Sequence, residues 1–335
     1  MRFSVIIPVY NNPPELIDRA IQSVLSQCYN DYEILLVNDG TTEKKTNEYL
    51  EKISKNEKVH QIKLERNSGI SSARQQGITH ATGDWICFLD CDDYYKNDYL
   101  LKFSNAINSN NELDVVMCGF EIVDKEEKIL HTFPQDDARQ NYIYYGTTAI
   151  WNRVYRKSFL EDNNIHFPIG CLTEDMIFVA QVNLYAKQMF FINENLYVNF
   201  CNEDSTSRKK SFTELSIEKI PFADIALLID KTSDMEICID KAMMIRGMLY
   251  EQLIILSCLL TRHIRNTALL CEILRLSVHN IRKIQNLDKV VKKWFKNTNG
   301  DRNLRFMEFL LMIATKLRVE YCGMYALNRL IGRIR

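Results

Sequence analysis

Short, almost uninterrupted apolar runs alternate with helical periodicity from residue 3 to residue 89, and this alternation leaves few folds open. Residues 3–9 read FSVIIPV, 33–37 EILLV, 59–64 VHQIKL and 85–89 WICFL. Runs this apolar are the mark of strands buried on both faces, as in parallel sheets. Between them the period changes. Pro13-Pro14 opens a helix in which Leu16, Ile17, Ala20, Ile21, Val24 and Leu25 share one face. Residues 43–54 give a polar helix and residues 70–81 another, closed by Thr82-Gly83-Asp84. The order β-α-β-α-β-α-β predicts an α/β fold with a doubly wound, mostly parallel sheet flanked by helices.

In such sheets ligands bind beyond the carboxyl ends of the strands. Those ends carry Pro8-Val9-Tyr10-Asn11, Asn38-Asp39-Gly40, Arg66-Asn67-Ser68-Gly69 and Asp90-Cys91-Asp92-Asp93. Four polar clusters should therefore meet at one sheet edge. Carboxylates at a turning strand end suit hard divalent ions such as Mn2+ or Mg2+, which also bind diphosphate oxygens. The alternative is that Asp92 or Asp93 caps a helix starting near Lys96. Asp39 can accept hydrogen bonds from a base or ribose, or simply shape an Asp-Gly turn. Arg74 can pair with Asp39 or a nucleotide, or form a surface ion pair of little weight. No GxGxxG or GxxxxGK[ST] motif is present.

Further along, strand-like runs recur at 113–118, 120–124, 142–145 and 189–200, and an apolar helix is expected over 176–186, preceded by Thr173-Glu174-Asp175. Trp151 offers a flat wall for a sugar ring or packs in the core. From about residue 214 the pattern is helical to the end. Residues 281–335 hold 13 Lys and Arg against 4 Asp and Glu, whereas the rest holds 29 against 39. A basic tail on an acidic body fits an anionic surface such as membrane lipid, or is a solvated face. It lacks the regular aromatic interleaving of single-strand nucleic-acid binders, so no nucleic-acid partner is expected. The ten cysteines include no CxxC pair, and Cys87, Cys118, Cys258 and Cys271 lie in apolar runs. Buried free thiols in a reducing compartment are expected. No stretch reads as a signal peptide or a membrane span, so the expected location is the cytoplasm, at most at the inner face of the cell membrane.

The segments SVIIPVYNN, SVLSQ, DYEILLVNDGT, NSGISSARQQGI, THATGDWICFLDCDD and TEDMIF, in this order, resemble glycosyltransferase family 2. The resemblance covers roughly residues 1–210. It implies a GT-A fold and inverting transfer from a nucleotide-sugar, usually a UDP-sugar, to a hydroxyl of a glycan or lipid-linked acceptor. It implies that Asp92 binds the metal and that Asp90 faces the ribose or sugar. Pro8, Val9, Tyr10, Asn11, Asp39, Asn67, Gly69, Arg74 and Cys91 would lie around the nucleotide, and Trp151 and Glu174 would also contact the donor. Asp175 would be the catalytic base. Such a base must lie opposite the leaving diphosphate, and a helix start favours its charge. The chain departs from the family at Asn38, where Asp is common, and in NFCNEDSTSRKK, which has no His; Arg208, Lys209 or Lys210 would then face the diphosphate. The expected domains are 1–212 (a nucleotide half 1–95 and an acceptor half 96–212) and a helical region 213–335. The other reading is a non-catalytic nucleotide-sugar-binding subunit that forms homo-oligomers through its C-terminal helices.

Overall fold

The computed structural model describes residues 1–134, 147–171 and 173–201, with a few isolated helical positions between 224 and 245. Almost all of the described residues up to 201 belong to one compact unit. The expected strand at 142–145, the basic residues 208–210 and the helical region including 281–335 lie outside the described residues.

The four apolar runs fold as β1 (Phe3–Val9), β2 (Tyr32–Asn38), β3 (Val59–Lys63) and β4 (Trp85–Phe88). All are parallel, in the order β3-β2-β1-β4. β1 and β2 are buried at every residue, whereas β3 is only partly covered because it is the edge strand. The intervening segments form α1 (Pro14–Leu25), α2 (Lys44–Ile53) and α3 (Ile70–His80). Alternate residues of β1 divide between the two faces of the sheet. Val5 and Ile7 join Ile17, Ala20, Ile21 and Val24 of α1 in one core cluster. Ile6 points the other way, against Gly77 of α3, where any Cβ would strike its side chain. That glycine lets α3 lie close against β1.

Beyond β4 the sheet becomes mixed. β5 (Tyr94–Tyr95), α4 (Tyr99–Ser109), β6 (Val115–Val123), β7 (Ile129–Phe133), β8 (Arg153–Arg156), α5 (Lys157–Asp162), α6 (Glu174–Tyr185) and β9 (Met189–Phe200) follow in chain order. β8 is antiparallel to β4 and to the first part of β6, and β9 runs parallel to β6. Two expectations are corrected here. The runs 113–118 and 120–124 are one strand, β6, which shifts register around Gly119 instead of breaking. The helix expected near Lys96 begins at Tyr99, because Tyr94 and Tyr95 first pair with Val198 and Tyr197 of β9. Neither Asp92 nor Asp93 caps it; Asp98 stands at that position.

Candidate active site

β1 and β2 end in register, with Val9 opposite Asn38, and Asp39 N–H donates to the Val9 carbonyl at 2.9 Å. The chain then turns at Gly40 with φ +67°, where a side chain would meet the backbone of Arg66 and Asn67. Only glycine suits such a position. Asn38 is fully buried; its Oδ1 accepts from Thr41 N at 2.8 Å and its Nδ2 donates to Asn47 Oδ1 at 3.2 Å. The amide at this unusual position therefore has both donor and acceptor work, which a carboxylate could not do. Asp39 is buried too, and accepts from Ser68 N at 2.7 Å and Gly69 N at 2.9 Å. Asn67 Oδ1 accepts from the same Gly69 N–H at 3.0 Å. Asn11 Oδ1 accepts from Thr42 N at 2.8 Å and Glu43 N at 3.1 Å. Three of the four strand-end loops are thus stitched to one another by their own polar side chains.

The fourth is a turn at Asp90–Asp93, closed by Asp93 N–H donating to the Asp90 carbonyl at 3.0 Å. Its acids diverge. Asp93 enters the protein, where Tyr197 OH (2.6 Å), Asn199 Nδ2 (2.9 Å) and Phe200 N (2.8 Å) donate to it. Burial, then repulsion from Asp90 and Asp92, raises its pKa well above the usual carboxylate range. Arg19 of α1 lies over the Phe200 ring at 3.7 Å and donates to the Asp92 carbonyl at 2.5 Å. The turn is therefore clamped from α1 and from β9. Arg19, Tyr197 and Asn199 were not singled out as site residues by the sequence, where nothing in their local pattern sets them apart.

Asp90 points to Arg74. Arg74 lies on the inner face of α3 and is only 2% exposed. Its Nη2 donates to Asp90 Oδ1 at 2.9 Å, and its Nη1 to Asp175 Oδ1 at 2.5 Å and Glu174 Oε1 at 3.1 Å. This buried contact is neither a surface ion pair nor a pairing with Asp39. Burial alone would lower the arginine's pKa, but Asp175, Asp90 and Glu174 outweigh it and hold it above its ordinary value. Three carboxylates against one guanidinium leave an excess of negative charge. Burial, with repulsion from Glu174 and Asp90, pushes the Asp175 carboxyl up to about 8, against the pull of Arg74. Its side chain stays 34% exposed, so it remains reachable.

Other expected residues sit apart from this cluster. Val9 and Cys91 turn into the core, leaving their backbone to the site. Pro8 lies within β1 opposite Val37, while Tyr10 is well exposed just beyond it. Trp151 stacks on Tyr197 at 4.2 Å and meets Phe120 edge-on at 4.7 Å, so much of the ring is packed within the protein. A cavity of about 570 Å³ lined by Asp84, Trp85, Arg156 and Lys157 opens at the other end of β4, away from Asp90. Among the described residues no three His, Cys, Asp or Glu side chains are arranged to hold a metal ion. A Mg2+-like ion needs no such trio, because it takes one or two carboxylates and fills its sphere with phosphate oxygens and water. The partly exposed Asp92 on a turn rich in hard oxygen donors fits that mode.

The fold is thus an open, mostly parallel α/β sheet whose strand-end loops gather three acids around one buried arginine. The model of the family described as "Glycosyl transferase family 2" matches residues 4–173, and the chain belongs to that family. The "Uncharacterized glycosyltransferase EpsJ" of Bacillus subtilis is 30% identical over 220 residues, 60% of this chain and 62% of the relative. The "Poly(ribitol-phosphate) beta-N-acetylglucosaminyltransferase TarS" of Staphylococcus aureus is 28% identical over 59% of this chain and 35% of its own length. The chain thus spans less than two thirds of the length of these curated relatives. Among solved structures, S. aureus TarS 1–349 in complex with UDP-GlcNAc superposes with a TM-score of 0.75 at 17% identity, covering 100% of this chain and 93% of that one. This establishes the GT-A fold. Free thiols at Cys87 and Cys118 are as expected, whereas Cys258 and Cys271 lie outside the described residues. No described helix is long and apolar enough to cross a membrane.

Proposed function

We propose that the chain is an inverting glycosyltransferase that moves a sugar from a UDP-sugar to a hydroxyl of a glycan or lipid-linked acceptor in cell-surface polysaccharide biosynthesis. The observation that carries this reading is the single guanidinium of Arg74, which binds Asp90 on one side and Asp175 on the other. The strand-end acid that would meet the donor and the acid that would take the proton are thereby neighbours. UDP-GlcNAc in the structurally similar TarS supports a UDP-sugar donor. Residues 1–95 would hold the nucleotide and residues 96–212 the acceptor.

In the reaction the acceptor oxygen forms a bond to the anomeric carbon as the bond to the diphosphate breaks on the opposite face. The acceptor proton passes to Asp175. A raised carboxyl pKa makes Asp175 a stronger base than an ordinary aspartate, poised near operating pH. Asp90 would orient the sugar or ribose, and the loop N–H groups held by Asp39 and Asn67 would keep the nucleotide pocket in shape. A divalent ion, Mn2+ or Mg2+, held through Asp92 would supply charge neutralisation for the departing diphosphate. The Mn2+ and GDP-mannose complex of the Pyrobaculum calidifontis mannosyltransferase, similar in fold at a TM-score of 0.50 and 13% identity, supports such an ion. The basic segment 281–335 would dock on the anionic inner face of the cell membrane, and its deletion should weaken liposome binding.

The test is a donor screen that measures nucleoside diphosphate release from each common nucleotide-sugar in Mn2+. Release from a UDP-sugar is expected, with an inverted anomeric centre in the product. Silence with every donor, while UDP still binds, would favour the non-catalytic subunit instead. Asp175→Asn should keep UDP affinity and lower turnover about 10²–10⁴-fold.

A further inference from the structure

We propose that Arg74 is the positioning residue of the proton-transfer step: its one planar guanidinium fixes the Asp175 carboxylate relative to Asp90, so that base and donor contact keep a single geometry. This rests on the reading of Asp175 as the base. Four observations on Arg74 support it. The side chain is 2% exposed, so water does not compete for its N–H groups. Its two terminal nitrogens are divided between strand-end and helix-start acids: Nη2 to Asp90 at 2.9 Å, Nη1 to Asp175 at 2.5 Å and Glu174 at 3.1 Å. The fork sits on α3, pressed against β1 at Gly77, and so belongs to the rigid part of the sheet. The Phe167 ring lies 5.8 Å from the guanidinium carbon, and the next residue on α3, Gln75, accepts from Phe167 N at 3.1 Å. α3 thus holds both the arginine and the wall beside it.

The charges facing Asp175 are Arg74 from α3, Asp90 from the end of β4 and Glu174 on its own helix, with the Tyr155 hydroxyl of β8 among the groups that feel it. Glu174 shares Nη1 with Asp175. A rigid planar fork can serve three carboxylates at fixed angles, whereas a lysine ammonium is a point charge on a flexible stem. Arg74 is assigned no contact with the reacting atoms. Its effect is on where the base stands and how readily the base gives up its proton.

The experiment compares the parent full-length chain with Arg74→Lys and Glu174→Gln, using UDP in Mn2+ for affinity and the active donor of the screen for turnover against pH. For Arg74→Lys, kcat should fall about 10²-fold, the scale of a misplaced reacting group, while UDP affinity holds. The acid limb of kcat should move up by about one pH unit, because a point charge on a flexible stem favours the charged base less than the held fork does. For Glu174→Gln the limb should move down by about one unit, since a repelling charge is gone from the shared nitrogen. A merely structural arginine would lower the amount of folded enzyme without moving either limb. Parent turnover in Arg74→Lys, or a loss confined to UDP affinity, would overturn the inference; so would unmoved limbs in the variants. If Arg74→Lys does not fold, Arg74→Gln read in the same way decides in its place. Full turnover in Asp175→Asn would instead sink the base reading itself, whatever Arg74 does.

Discussion

The Asp175 carboxyl sets the behaviour of the site at the scale of a single residue. Burial and its acidic neighbours push its pKa to about 8, and in the proposed role as base it would work only when deprotonated. Turnover should therefore rise about tenfold per pH unit below that value and level off above it, in a pH–rate profile at saturating donor. A second consequence follows from linkage. A carboxyl whose folded pKa is raised holds its proton more tightly folded than unfolded, where the value is about 3.9. Its contribution to stability is full below the unfolded pKa and is lost as pH rises through the folded one. The melting temperature of Asp175→Asn, relative to the parent, should thus climb between acid and mildly alkaline pH; a constant difference would contradict the raised pKa. Asp175 itself was legible in the sequence, because an acidic pair before an apolar helix in a family-like segment is distinctive. Its partner was not. Arg74 lies a hundred positions away from Glu174, and no spacing rule joins an arginine on α3 to a helix start that far along.

The decisive feature at the scale of elements is how the strand-end loops hold each other. Asp39 and Asn11 spend much of their hydrogen bonding on neighbouring loops and Asn67 braces its own, which keeps the edge of the sheet in shape before any ligand arrives. Gly40 is the tightest point. Gly40→Ala would force a Cβ into the backbone of Arg66 and Asn67 and keep a left-handed φ. A cost of about 1–3 kcal/mol or more is expected, read by chemical denaturation, together with weaker UDP binding. Unchanged stability would show that the loop shifts freely. The strands and first three helices were readable from period alone, because buried parallel strands and amphipathic helices have distinct patterns. The small second-half elements were not. β5 is two residues long and exists because β9 offers it an edge, and β6 is continuous because β7, β8 and β9 all pair with it.

Across the whole molecule the parallel half separates stability from function along the strand axis. Glu33, near the start of β2, is buried and accepts from Ser4 Oγ at 2.6 Å and Thr82 N at 2.7 Å. Burial would raise its pKa, but those hydrogen bonds and the Arg2 charge prevail and hold it below its ordinary value. A depressed carboxyl contributes stability that is present above its unfolded pKa, about 4.3, and is lost as pH falls through the folded one. Glu33→Gln should cost about 1–3 kcal/mol at neutral pH by urea denaturation, with the gap closing in acid. Donor KM should hold, since the site is at the other end of the strand. A changed KM with unchanged stability would refute that separation.

By itself the sequence determined the alternating strands and helices, the four polar strand ends and the family. Apolar period and turn chemistry are local properties that need no partner to be read. Only the tertiary structure decided which acids meet. The turn at Asp90–Asp93 sends Asp93 inward to Tyr197 and Asn199, and turns Asp90 toward Arg74. It also decided that one buried guanidinium serves three carboxylates from two distant segments, because charge balance inside a protein depends on what is folded alongside, not on what is next in the chain.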